Sequence, residues 1–301
     1  MRAGDETGDI QTNEGMEIGK MASKALTLEE VHQGSYEVLK AFSKICDEQG
    51  WRWFLFYGTM LGAIRHKGFI PWDDDIDIMM PRPDYDKFRK FFMENSESLY
   101  PLKLFDKETV KDYPHFLPRV SDQRYHLVFD NEIDYGIGLF MDVYPLDGVG
   151  NDMDAAIKLT QKTKKLASLC FLTSRKKYAT DNTERKLKML IKFPAYLWAH
   201  LMGNQHYINR LNTLAQTYSY EDSKYVACTA WPAGKKYGHE RDVFDRKVFD
   251  TTELVQFEDG KFPVPTGYDE FLTTTYGDYM TPPNEAGKKM HHTYTAYKVS
   301  N

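Results

Sequence analysis

Four carboxylates fall within five residues at Asp73-Asp74-Asp75-Ile76-Asp77. Two like charges about 4 Å apart repel by roughly 4 kcal/mol at an effective dielectric near 20. A run of this kind needs full solvation, protonation or a cation. Solvation suits an acidic run on a surface, but apolar Ile76, Ile78, Met79 and Met80 are interleaved with these acids or follow them. Read as a strand over residues 75–80, the segment sends alternate side chains to opposite faces. Asp75 and Asp77 then share one face, while Ile76, Ile78 and Met80 enter a core. Two anchored carboxylates side by side make a seat for a hard divalent cation with oxygen ligands. A third ligand should come from a neighbouring strand, and Asp142 in Gly138-Leu-Phe-Met-Asp-Val-Tyr-Pro145 has apolar residues on both sides. An Asp in such a strand is costly unless it is paired or binds metal. A metal ligand and a salt-bridged structural acid therefore both stand open for Asp142. Asp147, after Pro145, reads as a turn residue.

Other residues could hold a phosphorylated partner. Gly58-Thr59 sits between a strand-like and a helix-like run, where backbone N–H groups can approach a phosphate and the helix N-terminus favours an anion. Arg65, His66 and Lys67 bring positive charge just ahead of the acids, and Arg119 is a further cation able to grip phosphate or to stand as an ordinary surface residue. Trp72, between Pro71 and the acidic run, is the best placed aromatic face for a bound cation. Tyr57, Phe69 and Tyr144 are nearby alternatives that serve equally well as core, Phe69 above all.

The elements that must position these groups follow from pattern. Thr27 and Glu30 form a capping box for a helix that runs to about Gln49 and stops at Gly50. Strands are predicted over residues 51–57, 75–80, 102–105, 116–120, 127–130 and 137–144, the last stopped by Pro145. Short helices are predicted over 60–66 and 85–93. Three Lys- and Leu-rich helices follow over 152–175, 184–203 and 206–218, and residues 226–301 read as irregular. The fold class is α+β: a mixed β-sheet with flanking helices, plus a helical segment. The organisation reads as a flexible leader over 1–24, a catalytic core over 25–150, the helical segment over 151–225, and a C-terminal part over 226–301 that completes the same domain. The apolar stretch 189–202 is interrupted by Lys192, Pro194 and His200 and is too short to span a bilayer. It reads as a buried helix or, alternatively, one lying on a membrane surface.

Composition narrows the class. The chain of 301 residues is 42% hydrophobic and 28% charged, the balance of a soluble globular protein. A net charge of −5 gives no overall pull toward nucleic acid. Cys46, Cys170 and Cys228 fit neither a zinc spacing nor a disulfide framework, which points to a reducing cytoplasm. The first residues lack the basic start and apolar run of a signal peptide.

At Tyr57-Gly-Thr-Met-Leu-Gly-Ala-Ile-Arg-His-Lys-Gly-Phe-Ile-Pro-Trp-Asp-Asp-Asp-Ile-Asp77 the chain resembles the LicD family of phosphocholine transferases, related to the fukutin-type proteins. Met141-Asp-Val-Tyr-Pro-Leu-Asp-Gly148 resembles the family's second acidic motif, and Phe257-Glu-Asp-Gly260, Val264-Pro265 and Tyr276-Gly-Asp-Tyr279 its C-terminal pattern. The resemblance extends over about residues 26–292. It implies a nucleotidyltransferase-like fold and a divalent metal, Mg2+ or Mn2+, on Asp75, Asp77 and Asp142, which are then the catalytic residues. Gly58, Thr59, Arg65, His66, Trp72 and Arg119 become substrate-binding residues. The implied donor is CDP-choline or a similar CDP-alcohol, and the acceptor a sugar hydroxyl on a glycan or lipid-linked glycan of the teichoic acid or lipopolysaccharide kind. CMP is released. The setting is the cytoplasm, at the inner face of the membrane with peripheral contact, and no nucleic acid takes part. His291-His292 would add a metal ligand or an acceptor contact, or belong to a tail. A true nucleotidyltransferase acting on a small molecule and a catalytically inactive binding module are the competing readings.

Overall fold

The computed structural model describes residues 21–111, 113–176, 186–232, 238–288 and 293–299. Helix α1 (Leu28–Gln49) begins as its capping box requires. The Glu30 N–H donates to Thr27 Oγ1 at 3.2 Å and the Thr27 N–H to Glu30 Oε2 at 2.7 Å. Gly50 closes it at φ 66°, a left-handed conformation that glycine takes without a Cβ penalty. Its inner face, with Val38, Leu39 and Phe42 fully buried, packs on the main core.

That core coats a mixed sheet. Strands β2 (Phe54–Leu55), β3 (Asp77–Pro81), β7 (Leu139–Gly150), β5 (Arg119–Asp122) and β4 (Leu102–Phe105) lie side by side in that order. β3 and β7 are parallel, while the other pairs are antiparallel. The far half of β7 pairs with β8 (Tyr225–Ala227), and β8 with β9 (Val243–Asp245). Helices α2 (Tyr57–His66) and α3 (Arg82–Glu94) flank β3 in sequence. A smaller sheet joins β1 (Met21–Ala25), β12 (Tyr294–Val299) and β6 (Tyr125–Phe129). Helices α4 (Met153–Thr173), α5 (Lys186–Met202) and α6 (Asn204–Ala215) form a lobe around Ala167, Cys170, Tyr207, Ile208 and Leu211. The architecture is α+β, as the patterns indicate.

Four differences from the sequence expectations have physical causes. β7 does not stop at Pro145, because Pro145 falls between the end of the β5 pairing at Asp142 and the start of the β8 pairing at Asp147. With no ladder on that flank, the missing N–H is tolerated. Asp147 is no turn residue. It is fully buried on β7, held by the Arg82 guanidinium, whose Nε donates at 2.6 Å, and by the Thr229 hydroxyl. Residues 21–24, assigned to the leader, lie in β1 against β12; residues 1–20 lie outside the described ones. The C-terminal part is not irregular. It contains the hairpin of β10 (Thr252–Phe257) and β11 (Gly260–Pro265), helix α7 (Tyr268–Tyr276) and strand β12.

Candidate metal and phosphate site

The sheet register builds the centre of the site. Asp77 on β3 is level with Asp142 on β7, which is level with Arg119 on β5. Register neighbours point to the same face, so two acids and a guanidinium form a row across three strands, each less than 10% exposed. The Asp77 N–H donates to Thr59 Oγ1 at 2.8 Å, and the Asp142 N–H to the Ile76 carbonyl at 2.9 Å. Arg119 Nε donates to Asp142 Oδ1 at 2.8 Å and Nη1 to the Tyr135 hydroxyl at 2.8 Å, with the guanidinium 4.1 Å from the Phe140 ring centre. Arg119 is therefore no surface residue; its charge is committed to Asp142. The buried Asp142 has the ionic partner its apolar strand calls for.

Asp75 reaches the site by a different route from the one its spacing suggests. β3 starts at Asp77, so the alternation of side chains does not extend back to Asp75, which lies in the preceding loop. That loop is nonetheless tightly held. His32 Nε2 donates to the Asp73 carbonyl at 2.6 Å, the Tyr294 hydroxyl donates to the Asp74 carbonyl at 3.0 Å, and the Asp73 N–H reaches the Ile70 carbonyl at 2.9 Å. Carboxylate oxygens of Asp73, Asp74 and Asp75 lie within 4.8 Å of one another. Burial first, and then the charges of Asp75, Asp142 and Asp73, push the Asp77 carboxyl well above the usual carboxylate range. Burial, and then the charges of Asp77, Asp73 and Asp75, raise the Tyr276 phenol. Asp77 Oδ1 is buried with no hydrogen-bond partner among the described residues. A partnerless buried oxygen amid an all-oxygen donor set fits a hard divalent cation.

Gly58 and Thr59 lie inside the first turn of α2, not ahead of it. A Cβ on Gly58 would stand 2.6 Å from Asp73 Oδ2. The anion next to this helix end is thus the protein's own carboxylate, and Gly58 is what lets it approach. Tyr57, just before, is held at φ 37°, an uncommon conformation for a side chain of its size.

Arg65, His66 and Trp72 form a group of their own next to the acidic loop. Arg65 is seven residues beyond Gly58, about 10 Å along the helix axis. Its Nε donates to His66 Nε2 at 2.9 Å and its Nη1 to the Tyr279 carbonyl at 2.7 Å. Burial and then the Arg65 charge lower the His66 pKa, favouring a neutral ring. The His66 ring meets Trp72 edge-on at 6.2 Å, and the Lys288 ammonium lies 5.3 Å from the Trp72 ring centre. Trp72 therefore already hosts a cation. The other aromatic candidates are used in packing. Phe69 stacks on His32 at 4.1 Å, and Tyr57 and Tyr144 pack with Phe56. Tyr144 also lies beside Asp77, whose charge, after burial, raises the Tyr144 phenol. His291 and His292 lie outside the described residues.

Sequence reasoning missed the clamps. Glu258, in the turn between β10 and β11, accepts the Phe69 N–H at 3.0 Å, and its own N–H donates to the Lys67 carbonyl at 2.8 Å. Beside them, a Cβ on Gly68 would lie only 2.2 Å from Glu258 Oε1, so glycine leaves room for that carboxylate. Asp259 accepts the Tyr36 hydroxyl at 2.6 Å, fastening the same turn to α1. The Phe257-Glu-Asp-Gly260 motif was the available signal, but its partners lie up to 223 positions away.

Comparison with known proteins identifies the family. Residues 50–129 match the family model described as LicD/FKTN/FKRP, nucleotidyltransferase domain. The chain is 30% identical over 276 residues to the lipopolysaccharide cholinephosphotransferase LicD of Haemophilus influenzae, covering 91% of this chain and 99% of that protein. Shorter stretches resemble uncharacterised proteins of Rickettsia typhi (31% identity, 23% of this chain and 22% of that protein) and Rickettsia prowazekii (37% identity, 16% and 18%). With its acidic loop, its Asp77–Asp142–Arg119 row and a full-length relative of this kind, the chain belongs to the LicD family.

Proposed function

We propose that this protein transfers phosphocholine from CDP-choline to a sugar hydroxyl of a lipopolysaccharide-type acceptor and releases CMP, in a reaction that needs a divalent metal such as Mg2+. The observation that carries the metal is Asp77 Oδ1, a buried acceptor without a partner among the described residues, beside three further carboxylates. Asp75, Asp77 and Asp142 would hold the ion, with Asp73 next to them. When bound, such an ion neutralises charge that develops on the pyrophosphate as CMP leaves.

The chain's own residues supply the rest. Arg119 keeps Asp142 in place through its 2.8 Å bond, and Thr59 holds Asp77 by accepting its backbone N–H. Asp142 receives the proton of the acceptor hydroxyl as that oxygen bonds to the phosphorus bearing choline. The bond from that phosphorus to the bridging oxygen breaks, and CMP takes the electron pair. Trp72 offers its face to the trimethylammonium, a use supported by the Lys288 ammonium on the same ring. A polyol donor would instead need several hydrogen-bonding side chains for its hydroxyls. The working place is the cytoplasmic side of the membrane.

The test is the mass of the acceptor. Incubation with CDP-choline, magnesium and deacylated lipopolysaccharide should add phosphocholine to the glycan. Addition of a nucleotide instead would identify a true nucleotidyltransferase, and no metal-dependent product with any CDP-alcohol would identify a binding module.

A further inference from the structure

Charge is strongly segregated along this chain. Between Met153 and Ala215 the sequence holds twelve Lys and Arg against three Asp and Glu, a net of +9 in a chain whose total is −5. This segment is the lobe of α4, α5 and α6. Exposed Lys158, Lys162, Lys165 and Arg210 stand on α4 and α6.

The same lobe exposes its apolar residues. On α5 Leu197 is 51% exposed, Trp198 59% and Leu201 77%, with Phe193 and Met202 also exposed, while among residues 193–202 Ala199 alone is fully buried. A helix with this pattern in a water-soluble fold has apolar surface left over for something else. Among the described residues no helix is long and apolar enough to cross a membrane. Tryptophan and leucine beside an excess of lysine are the composition of a helix that lies in a lipid headgroup layer. The lobe also adjoins the site. Trp231 packs on Phe171 of α4, and its carbonyl accepts the Tyr57 hydroxyl at 3.2 Å, next to the first turn of α2.

We infer that the helical lobe docks on a bilayer surface bearing anionic phospholipids, with α5 laid into the headgroup region and the lysines of the lobe against the lipid charge. A second copy is a poor occupant, since pairing two such lobes would bring two strongly positive surfaces together. Anionic lipid matches both the apolar and the charged parts of the surface. The docking stands without the transfer reaction; that it brings the site to a lipid-linked acceptor rests on the proposed function.

The test is co-sedimentation of the full chain with vesicles of phosphatidylcholine alone or mixed with phosphatidylglycerol. Binding to the mixed vesicles should be about tenfold stronger or more, and should fall as salt rises. Trp198→Ala with Leu201→Ala should weaken it about tenfold or more, while melting temperature and CMP release with a water-soluble acceptor stay at wild-type values. Equal partition onto both vesicle types, or binding unchanged in the double variant, would overturn the inference. So would a stable dimer that the double variant dissociates. Loss of CMP release in the wild type would count against the reaction and leave the docking result standing.

Discussion

At the residue scale, Asp77 is the group under most electrostatic load. Burial and three neighbouring acids raise its folded-state pKa, so the folded protein keeps a proton there that the unfolded chain has released. Metal-free stability therefore falls as pH rises from the ordinary carboxylate range toward the raised value. Asp77→Asn should remove that slope and raise the metal-free melting temperature at neutral pH by about 2 °C or more, while abolishing both transfer and the magnesium-induced rise. Melts with and without magnesium decide it; an active Asp77→Asn, or a wild type indifferent to magnesium, would show the site to be wrong. Arg119 gives the complementary case. Arg119→Met leaves Asp142 as a buried acid without its ionic partner, at a cost of about 3 kcal/mol or more. Adding Asp142→Asn should recover part of the loss in urea unfolding, and no recovery would mean the pair is not what stabilises this row. Trp72→Leu should weaken CDP-choline binding by about tenfold, measured by calorimetry; an unchanged affinity would remove Trp72 from the choline site. The acids were legible because apolar neighbours surround them. The pairing of Arg119 was not, because it depends on the β5–β7 register between residues 23 positions apart.

At the scale of elements, α2 and the loop after it behave as one unit. Gly62 meets the Gly68 carbonyl so closely that a Cβ would lie 2.5 Å from that oxygen. Alanine normally favours a helix over glycine by about 1 kcal/mol, yet here it must push against backbone. Gly62→Ala should therefore destabilise by about 1–3 kcal/mol and lower transfer, because α2 carries the Thr59 hydroxyl that receives the Asp77 N–H. A raised melting temperature would contradict this packing. Helix α1 was readable to the residue, since its caps are local. The starts of α2 and β3 were misplaced by two or three residues. Tyr57 enters the helix despite its positive φ, and the acids before Asp77 are loop residues fixed by His32 and Tyr294, which lie far away in sequence.

At the scale of the whole molecule, the first and last described strands pair, and the last reaches the site. β1 pairs with β12, and β12 begins at Tyr294, whose hydroxyl holds the acidic loop. Removing residues through Ala25 should lower the melting temperature and the transfer rate together; an unchanged melt would show that β1 adds nothing to the sheet. The α+β class was legible from alternating and helical periods, whereas the regular C-terminal part was not, because its short strands are defined by partners elsewhere. A metal-dependent transfer that discards CMP is tested most directly by CMP release from CDP-choline, CDP-ribitol and CDP-glycerol with and without magnesium. Release should require magnesium, be fastest with CDP-choline and be absent in Asp77→Asn. Release indifferent to magnesium, or none from any of the three donors, would contradict it.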